Sequence, residues 1–145
     1  IAQCGKDKSD LVQAQGAAKV VFRGTELTDD PGVESVDVVI DLVAGPQWPI
    51  LLEVLKKGGR YGVAGAIGGP MVELDVRNLY LNDLSFFGCT VLEKEVFSNL
   101  VGYIEREEIS PIVSETYPLN QIVQAQKDFI AKKHVGKLVL VPPQS

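Results

Sequence analysis

Cysteine, histidine, methionine and aromatic residues are all scarce in this sequence. Its two cysteines, Cys4 and Cys89, are too few to staple a small secreted scaffold. They lie far apart and form no C-x-x-C pair, so they give no zinc motif and are expected to be small buried hydrophobes. Such cysteine usage is compatible with a reducing compartment, and a cytoplasmic protein is expected. The single histidine, His134, sits beside Lys132 and Lys133 near an expected helix end, where a cation complements the helix dipole. No G-x-S-x-G and no Ser/His/Asp arrangement points to nucleophilic catalysis. No apolar run approaches the roughly 20 residues a membrane helix needs. The opening residues carry no basic n-region of a signal peptide. Positive charge is in deficit, 14 Lys+Arg against 19 Asp+Glu for a net −5, which is the wrong balance for a nucleic-acid partner.

What is present is an ordinary globular composition. The chain has 145 residues, 46% hydrophobic and 23% charged, enough for one domain with a sizeable core and too apolar for a disordered segment. It opens at Ile1 on residues that already read as buried strand, so a longer parent polypeptide is expected, with some functional residues outside these 145.

Strand and helix signals alternate. Ile1-Ala2-Gln3-Cys4-Gly5 reads as a strand end and turn, and Leu11, Val12 and Ala14 as a short helix that Gly16 ends. Lys19-Val20-Val21-Phe22 is a second strand. Arg23 to Ser35, broken by Gly24 and Pro31-Gly32, is a loop with at most a helical turn. Val36 to Val43 is the clearest strand, with a nearly continuous apolar run that suits a parallel sheet covered on both faces. Trp48 to Lys57 predicts a helix stopped by Gly58-Gly59, and Arg60 to Gly65 the next strand. Met71 to Asp75 is extended, Val76 to Asn82 a helical turn, and Leu84 to Val91 a strand. Glu93 to Glu108 predicts an amphipathic helix with Val96, Leu100, Val101 and Ile104 on one face. Pro111 to Tyr117, Asn120 to Lys133 and Gly136 to Val141 follow as extended segment, helix and strand. Such alternation implies right-handed crossovers and a mostly parallel α/β sheet.

In an open α/β sheet, ligands sit outside the carboxyl ends of the strands. Three expected strand ends carry glycine or small residues: Cys4-Gly5, Val43-Ala44-Gly45 and Ala64-Gly65-Ala66. Each alone makes a turn; together they favour a cofactor cleft. Gly65-Ala66-Ile67-Gly68-Gly69 does not match G-x-G-x-x-G, so any pyrophosphate fingerprint would precede Ile1. A dinucleotide fold that prefers NAD usually places Asp or Glu at the end of this first strand, to accept from the ribose hydroxyls. Here Gly5 is followed by Lys6, with Lys8 and Arg23 near in pattern, cations that suit a 2′-phosphate. Lys8 alone is equally well a solvated surface lysine. Asp41 could bond a ribose or loop amides, or serve structure only.

Several stretches resemble the medium-chain dehydrogenase/reductase superfamily. They are Val36 to Gly45, Leu55-Lys56-Lys57-Gly58-Gly59-Arg60-Tyr61, Phe87-Gly88-Cys89-Thr90, Ile109 to Leu119, and His134-Val135-Gly136-Lys137-Leu138-Val139-Leu140. Order and spacing match over nearly the whole chain, nearest the zinc-type alcohol dehydrogenase-like and quinone oxidoreductase-like branch. The resemblance implies a Rossmann-type, mostly parallel sheet with helices on both faces, here lacking its first strand and glycine loop. Residues 1–108 would be the partial dinucleotide-binding domain, and 109–145 a return segment that packs on an absent catalytic domain. It further implies NAD(P)-dependent hydride transfer to or from a carbonyl, quinone or activated alkene. Carried over by position, Gly5, Lys6, Lys8 and Arg23 would surround the adenosine ribose and its phosphate. Val43, Ala44 and Gly45 would line the adenine-side cleft, and Ala64, Gly65 and Ala66 would approach the nicotinamide ribose. Cys89 and Thr90 would face the carboxamide, and Lys137 would reach the cofactor from the closing strand. NADP(H) is expected over NAD(H). Zinc ligands and catalytic residues would lie upstream of Ile1, so no catalytic residue is named.

A non-catalytic nucleotide-binding or interaction module on the same fold is the main alternative. A methyltransferase fits less well, because no acidic strand end adjoins a glycine loop. Pro70-Met71-Val72-Glu73-Leu74 and Leu84 to Phe87 are apolar and near an expected sheet edge, so a homodimer through that edge is expected. The expected partner is a small-molecule substrate, not a nucleic acid or a membrane.

Overall fold

The structure, a computed structural model, describes residues 1–143. It divides into two compact units, Ile1–Val91 and a second that begins at Leu92. The expected boundary at residue 108 falls later than this division, and Gln144 and Ser145 lie outside the described residues.

In the first unit, β1 (Ala2–Cys4) leads through a single turn into α1 (Ser9–Ala14) and β2 (Val20–Phe22). Pro31 and Gly32 keep the following loop irregular, and Asp30, extended at φ −146° and ψ 109°, breaks any helical turn over Thr28–Gly32. β3 (Val36–Asp41), α2 (Trp48–Glu53), β4 (Leu55–Val63), α3 (Val76–Leu81) and β5 (Ser85–Gly88) complete it. Every pairing is parallel: β1 with β2, and β3-β4-β5 as a separate three-stranded sheet. Parallel neighbours need helical crossovers, which is why strand and helix alternate. No helix among the described residues is long and apolar enough to cross a membrane.

Two elements depart from expectation. The helix predicted over Trp48–Lys57 ends at Glu53, because Leu55 already pairs with Val36 on β3. The pairing then jumps so that Val38 meets Arg60, and the intervening residues bulge out through Gly58 at φ 73°. Lys56, on that bulge, reaches the Asp37 carboxylate at 3.0 Å. Cys4 is buried as expected, but Cys89 is exposed, since β5 ends at Gly88 and leaves it beyond the ladder. Asp75 caps α3 by accepting from the Arg77 amide at 2.9 Å, and the Arg77 guanidinium holds its carboxyl below the usual range.

The core lies between the strands and α2. Trp48, Leu52, Leu55, Tyr61 and Leu84 form one buried cluster, with Trp48 edge-on to Tyr61 at 4.6 Å. Val21, Leu27 and Val54 form a second, against which Val36, Val39, Ile50 and Leu51 pack. This cluster ties the β1-β2 pair to the larger sheet through side chains, not through backbone pairing.

The second unit holds α4 (Lys94–Glu105), β6 (Val113–Pro118), α5 (Ile122–Ala131) and β7 (Lys137–Val141), with β6 and β7 parallel. Tyr117 and Ala125 are its buried anchors. His134 follows α5 as expected, its ring 5.6 Å from that of Phe129.

Leu55 is 1% exposed. Leu55→Ala is expected to cost about 2–5 kcal/mol, whereas Ile67→Ala on the surface should stay within about 0.5 kcal/mol. Urea unfolding of the two variants checks the contrast.

Candidate functional site

Parallel pairing sets the carboxyl ends of neighbouring strands side by side. Asp41 pairs with Val63, and Val63 with Gly88, so β3, β4 and β5 end in one line. The ladder runs one step further: Ala64 N–H donates to the Asp41 carbonyl and Cys89 N–H to the Val63 carbonyl, both at 2.9 Å. The segments leaving these ends, Val43-Ala44-Gly45, Ala64-Gly65-Ala66 and Cys89-Thr90, therefore form one small-residue rim.

Asp41 holds the first of these segments in place. It is the buried charged residue of the unit, 6% exposed. Its Oδ1 accepts from the Val43 amide at 2.7 Å and the Ala44 amide at 3.0 Å, an Asx-type turn. Its Oδ2 accepts from the Tyr61 hydroxyl, two strands' worth of sequence away on β4. Burial first, and the Asp41 carboxylate second, push the Tyr61 hydroxyl well above the usual phenol range, so it stays a donor. The clamped turn is strained: Ala44 has φ 55° and ψ −151°, a region that is otherwise glycine's.

The next loop locks onto this turn. Gly68 N–H donates to the Val43 carbonyl at 2.7 Å, and Ala44 bridges Gly69 in parallel. Gly45 has no room for a side chain, since a Cβ there would stand 2.4 Å from the Gly68 carbonyl oxygen. Gly65 has as little room, since a Cβ there would stand 2.4 Å from the Leu42 carbonyl oxygen. These two glycines serve loop interlock, and the backbone they bring together forms the rim.

The β1-β2 pair ends similarly. Arg23 N–H donates to the Cys4 carbonyl at 3.0 Å, which brings Arg23 beside Gly5. Lys6 places its Nζ 5.8 Å over the Phe22 ring, and Lys8 closes the turn by donating its N–H to the Gly5 carbonyl at 3.1 Å. The same turn folds the Asp7 carboxylate back over Gly5. A cavity of about 850 Å³ runs between β1 and β3 and is lined at its carboxyl end by Arg23, Val43 and Ala44.

The structure thus gathers Arg23, Val43 and Ala44 around one cavity, with Gly5 and Lys6 on the adjoining strand end and Gly45, Ala64, Gly65, Ala66, Cys89 and Thr90 along the neighbouring ends. Lys137 opens β7 in the second unit, opposite Val113. Sequence reasoning left the role of Asp41 open and did not single out Tyr61. A carboxylate two residues before a turn is an Asx signal, but its partner twenty residues on was invisible. The Asp7 carboxylate was passed over because it does not directly follow the strand.

Comparisons with known proteins give the family of the chain. Residues 15–140 match the model of the zinc-binding dehydrogenases. The chain belongs to that family. A quinone oxidoreductase of Rattus norvegicus is 27% identical over 97% of the chain, and one of Mus musculus is 30% identical over 74%. Among solved structures, a Sinorhizobium meliloti 1021 protein assigned to the alcohol dehydrogenases is 42% identical over 97% of the chain, with a TM-score of 0.86. The chain spans 46% of the rat enzyme's length and 40% of the Sinorhizobium chain, corresponding to the coenzyme-binding carboxyl-terminal portion of such proteins. The family's zinc finds no holder here: among the described residues no group of three His, Cys, Asp or Glu side chains could hold a metal ion. The rim does fit a dinucleotide, with close-packed glycine backbone at the strand ends and cations at the end of β1 and β2.

Asp41→Ala strands two loop amides and the Tyr61 hydroxyl, and is expected to cost about 2–4 kcal/mol. Asp41→Asn keeps an acceptor for the amides and should cost less than half as much. Ala44→Gly relieves the strained turn and is expected to stabilise by about 1 kcal/mol. Equilibrium denaturation ranks the three variants.

Proposed function

We propose that this chain is the coenzyme-binding portion of an NAD(P)-dependent oxidoreductase that moves hydride to or from a carbonyl, quinone or activated alkene, with NADPH favoured. The observation that carries this reading is the rim: adjacent strand ends of small residues beside a cavity that Arg23 flanks. Membership of a family whose relatives are oxidoreductases supports it.

In this reading Gly5, Lys6, Lys8 and Arg23 surround the adenosine ribose and its phosphate. Arg23 and Lys6 offer charge-assisted hydrogen bonds to a 2′-phosphate. Val43, Ala44 and Gly45 line the adenine side, and Ala64, Gly65 and Ala66 the nicotinamide ribose. Cys89 and Thr90 face the carboxamide. The bound dinucleotide supplies hydride chemistry; the chain's residues bind it, orient it and hold the Asp41 turn rigid beneath it. No residue of this chain is given a catalytic role, and alone it should bind cofactor without turnover.

A second reading rests on Asp7. Its carboxylate over Gly5 is a ribose-hydroxyl acceptor at the end of β1, which favours NADH. Met71, Tyr80, Leu81 and Phe87 are exposed, and β5 ends its sheet among the described residues, which supports a homodimer through Pro70–Leu74 and Leu84–Phe87. A cytoplasmic setting and a small-molecule substrate complete the proposal.

Calorimetric titration with NADPH and NADH separates the readings. NADPH is expected to bind more tightly, and Arg23→Ala to weaken NADPH about tenfold while leaving NADH within about twofold. Tighter NADH binding that Asp7→Asn abolishes would give the second reading; binding of neither cofactor would remove both. Light scattering of the full chain should return twice the monomer mass, and a monomer at every concentration would remove the dimer.

A further inference from the structure

Tyr61 sits on β4 with 0% of its surface exposed, so no ligand touches it. Its ring packs edge-on to Trp48 at 4.6 Å and tilted to Phe86 at 5.7 Å. Packing of that kind asks only for a phenyl ring. The hydroxyl adds nothing to it, and a buried hydroxyl costs free energy unless it is bonded. Its partner is the Oδ2 of Asp41 on the neighbouring strand. Burial keeps the proton on the phenol oxygen, so the hydroxyl donates.

What hangs on that bond is two loops. The other oxygen of Asp41 accepts from the Val43 and Ala44 amides at 2.7 and 3.0 Å. These bonds keep Ala44 at φ 55°, a conformation that persists only where its surroundings impose it. The turn then carries the next loop. The Val43 carbonyl accepts from Gly68 N–H at 2.7 Å, and Ala44 bridges Gly69. The approach is so close that a Cβ on Gly68 would stand 2.9 Å from the Ala44 carbonyl oxygen. With the hydroxyl removed, a carboxylate 6% exposed would keep its charge and lose a donor. It relieves that loss by turning, and the oxygen that both amides share turns with it. The β1-β2 pair shares no backbone pairing with β3 among the described residues, so its end is set independently.

We infer that Tyr61 is a positioning residue of the rim. Acting through Asp41, its hydroxyl sets the Val43-Ala44-Gly45 turn and the loop of Gly68 and Gly69 as one unit, and thereby sets the affinity for a dinucleotide that it never touches. The affinity half rests on the oxidoreductase reading; the loop half does not. NADPH and NADH differ in the 2′-phosphate, and the cations offered to that group stand at the end of β1 and β2. Tyr61 therefore serves both cofactors alike, whereas Arg23 discriminates between them.

Tyr61→Phe keeps the ring and removes the hydroxyl. Two readouts follow it in the full chain: amide hydrogen exchange without nucleotide, and calorimetric titration with NADPH and with NADH. Leu84→Ala thins the same core cluster without removing a partner of Asp41, and is the control for a general loss of stability. In Tyr61→Phe the Val43, Ala44 and Gly68 amides are expected to exchange at least tenfold faster. The Arg23 and Cys89 amides, which donate to backbone carbonyls at the neighbouring strand ends, should stay within about twofold. Leu84→Ala should show no such selectivity. Both cofactors should weaken by about tenfold. In an Asp41→Asn background, where no buried charge is left unpaired, the same substitution should change either affinity by less than about twofold. Unchanged exchange, or exchange accelerated at Arg23 and Cys89 as well, would make Tyr61 a core residue only and overturn the proposal. An equal loss of affinity in the two backgrounds, or a loss confined to NADPH, would overturn it too. Binding of neither cofactor to the unaltered chain would remove the oxidoreductase reading, and the exchange result alone would then uphold or overturn the role of Tyr61 in setting the two loops.

Discussion

The parallel ladder of β3, β4 and β5 is the constraint from which the rest of the molecule follows. Antiparallel strands would send successive connections to opposite ends of the sheet. Parallel ones deliver every strand end to the same side, so Val43, Ala64 and Cys89 emerge as neighbours although more than forty residues separate the first from the last. That single consequence of topology turns three unremarkable turns into one surface.

The surface also needs a fixed shape, and Asp41 supplies it. A carboxylate 6% exposed is costly unless its oxygens are fully engaged. Here one oxygen holds two loop amides and the other takes the hydroxyl of Tyr61, itself buried and packed against Trp48 and Phe86. The aromatic core thus positions a hydroxyl, the hydroxyl positions a carboxylate, and the carboxylate holds Ala44 in a backbone conformation that an alanine would not choose. Strain of this kind persists only where the surroundings over-determine it. Its location at the mouth of the cavity is why the rim is read as a ligand face.

Much of this was legible in the sequence. The near-continuous Val36-Asp37-Val38-Val39-Ile40 run marks a parallel strand by its β-branched residues, although Val38 and Ile40 stay exposed and the strand is not covered on both faces. Gly16, Pro31 and Gly45 placed breaks where the chain does turn. What escaped depends on contacts between segments. Helical periodicity over Trp48–Lys57 could not reveal that Leu55 is claimed by Val36 through the ladder. Cys89 carried a buried residue's chemistry but lies one residue past the end of β5. The Asp41–Tyr61 bond spans twenty residues of sequence, and no local pattern announces it. The gap between β1 and β3 is likewise a property of two sheets, visible only once their edges face one cavity.

The central claim is that these strand ends form one nucleotide-binding face. Amide chemical-shift mapping of the isotope-labelled chain during addition of NADPH tests it most directly. The account expects shifts concentrated at Gly5, Arg23, Ala44, Gly65 and Cys89, with the amides of Asn78 and Leu81 on α3 unmoved. Shifts confined to α3 or to the second unit, or none at saturating cofactor, would contradict it.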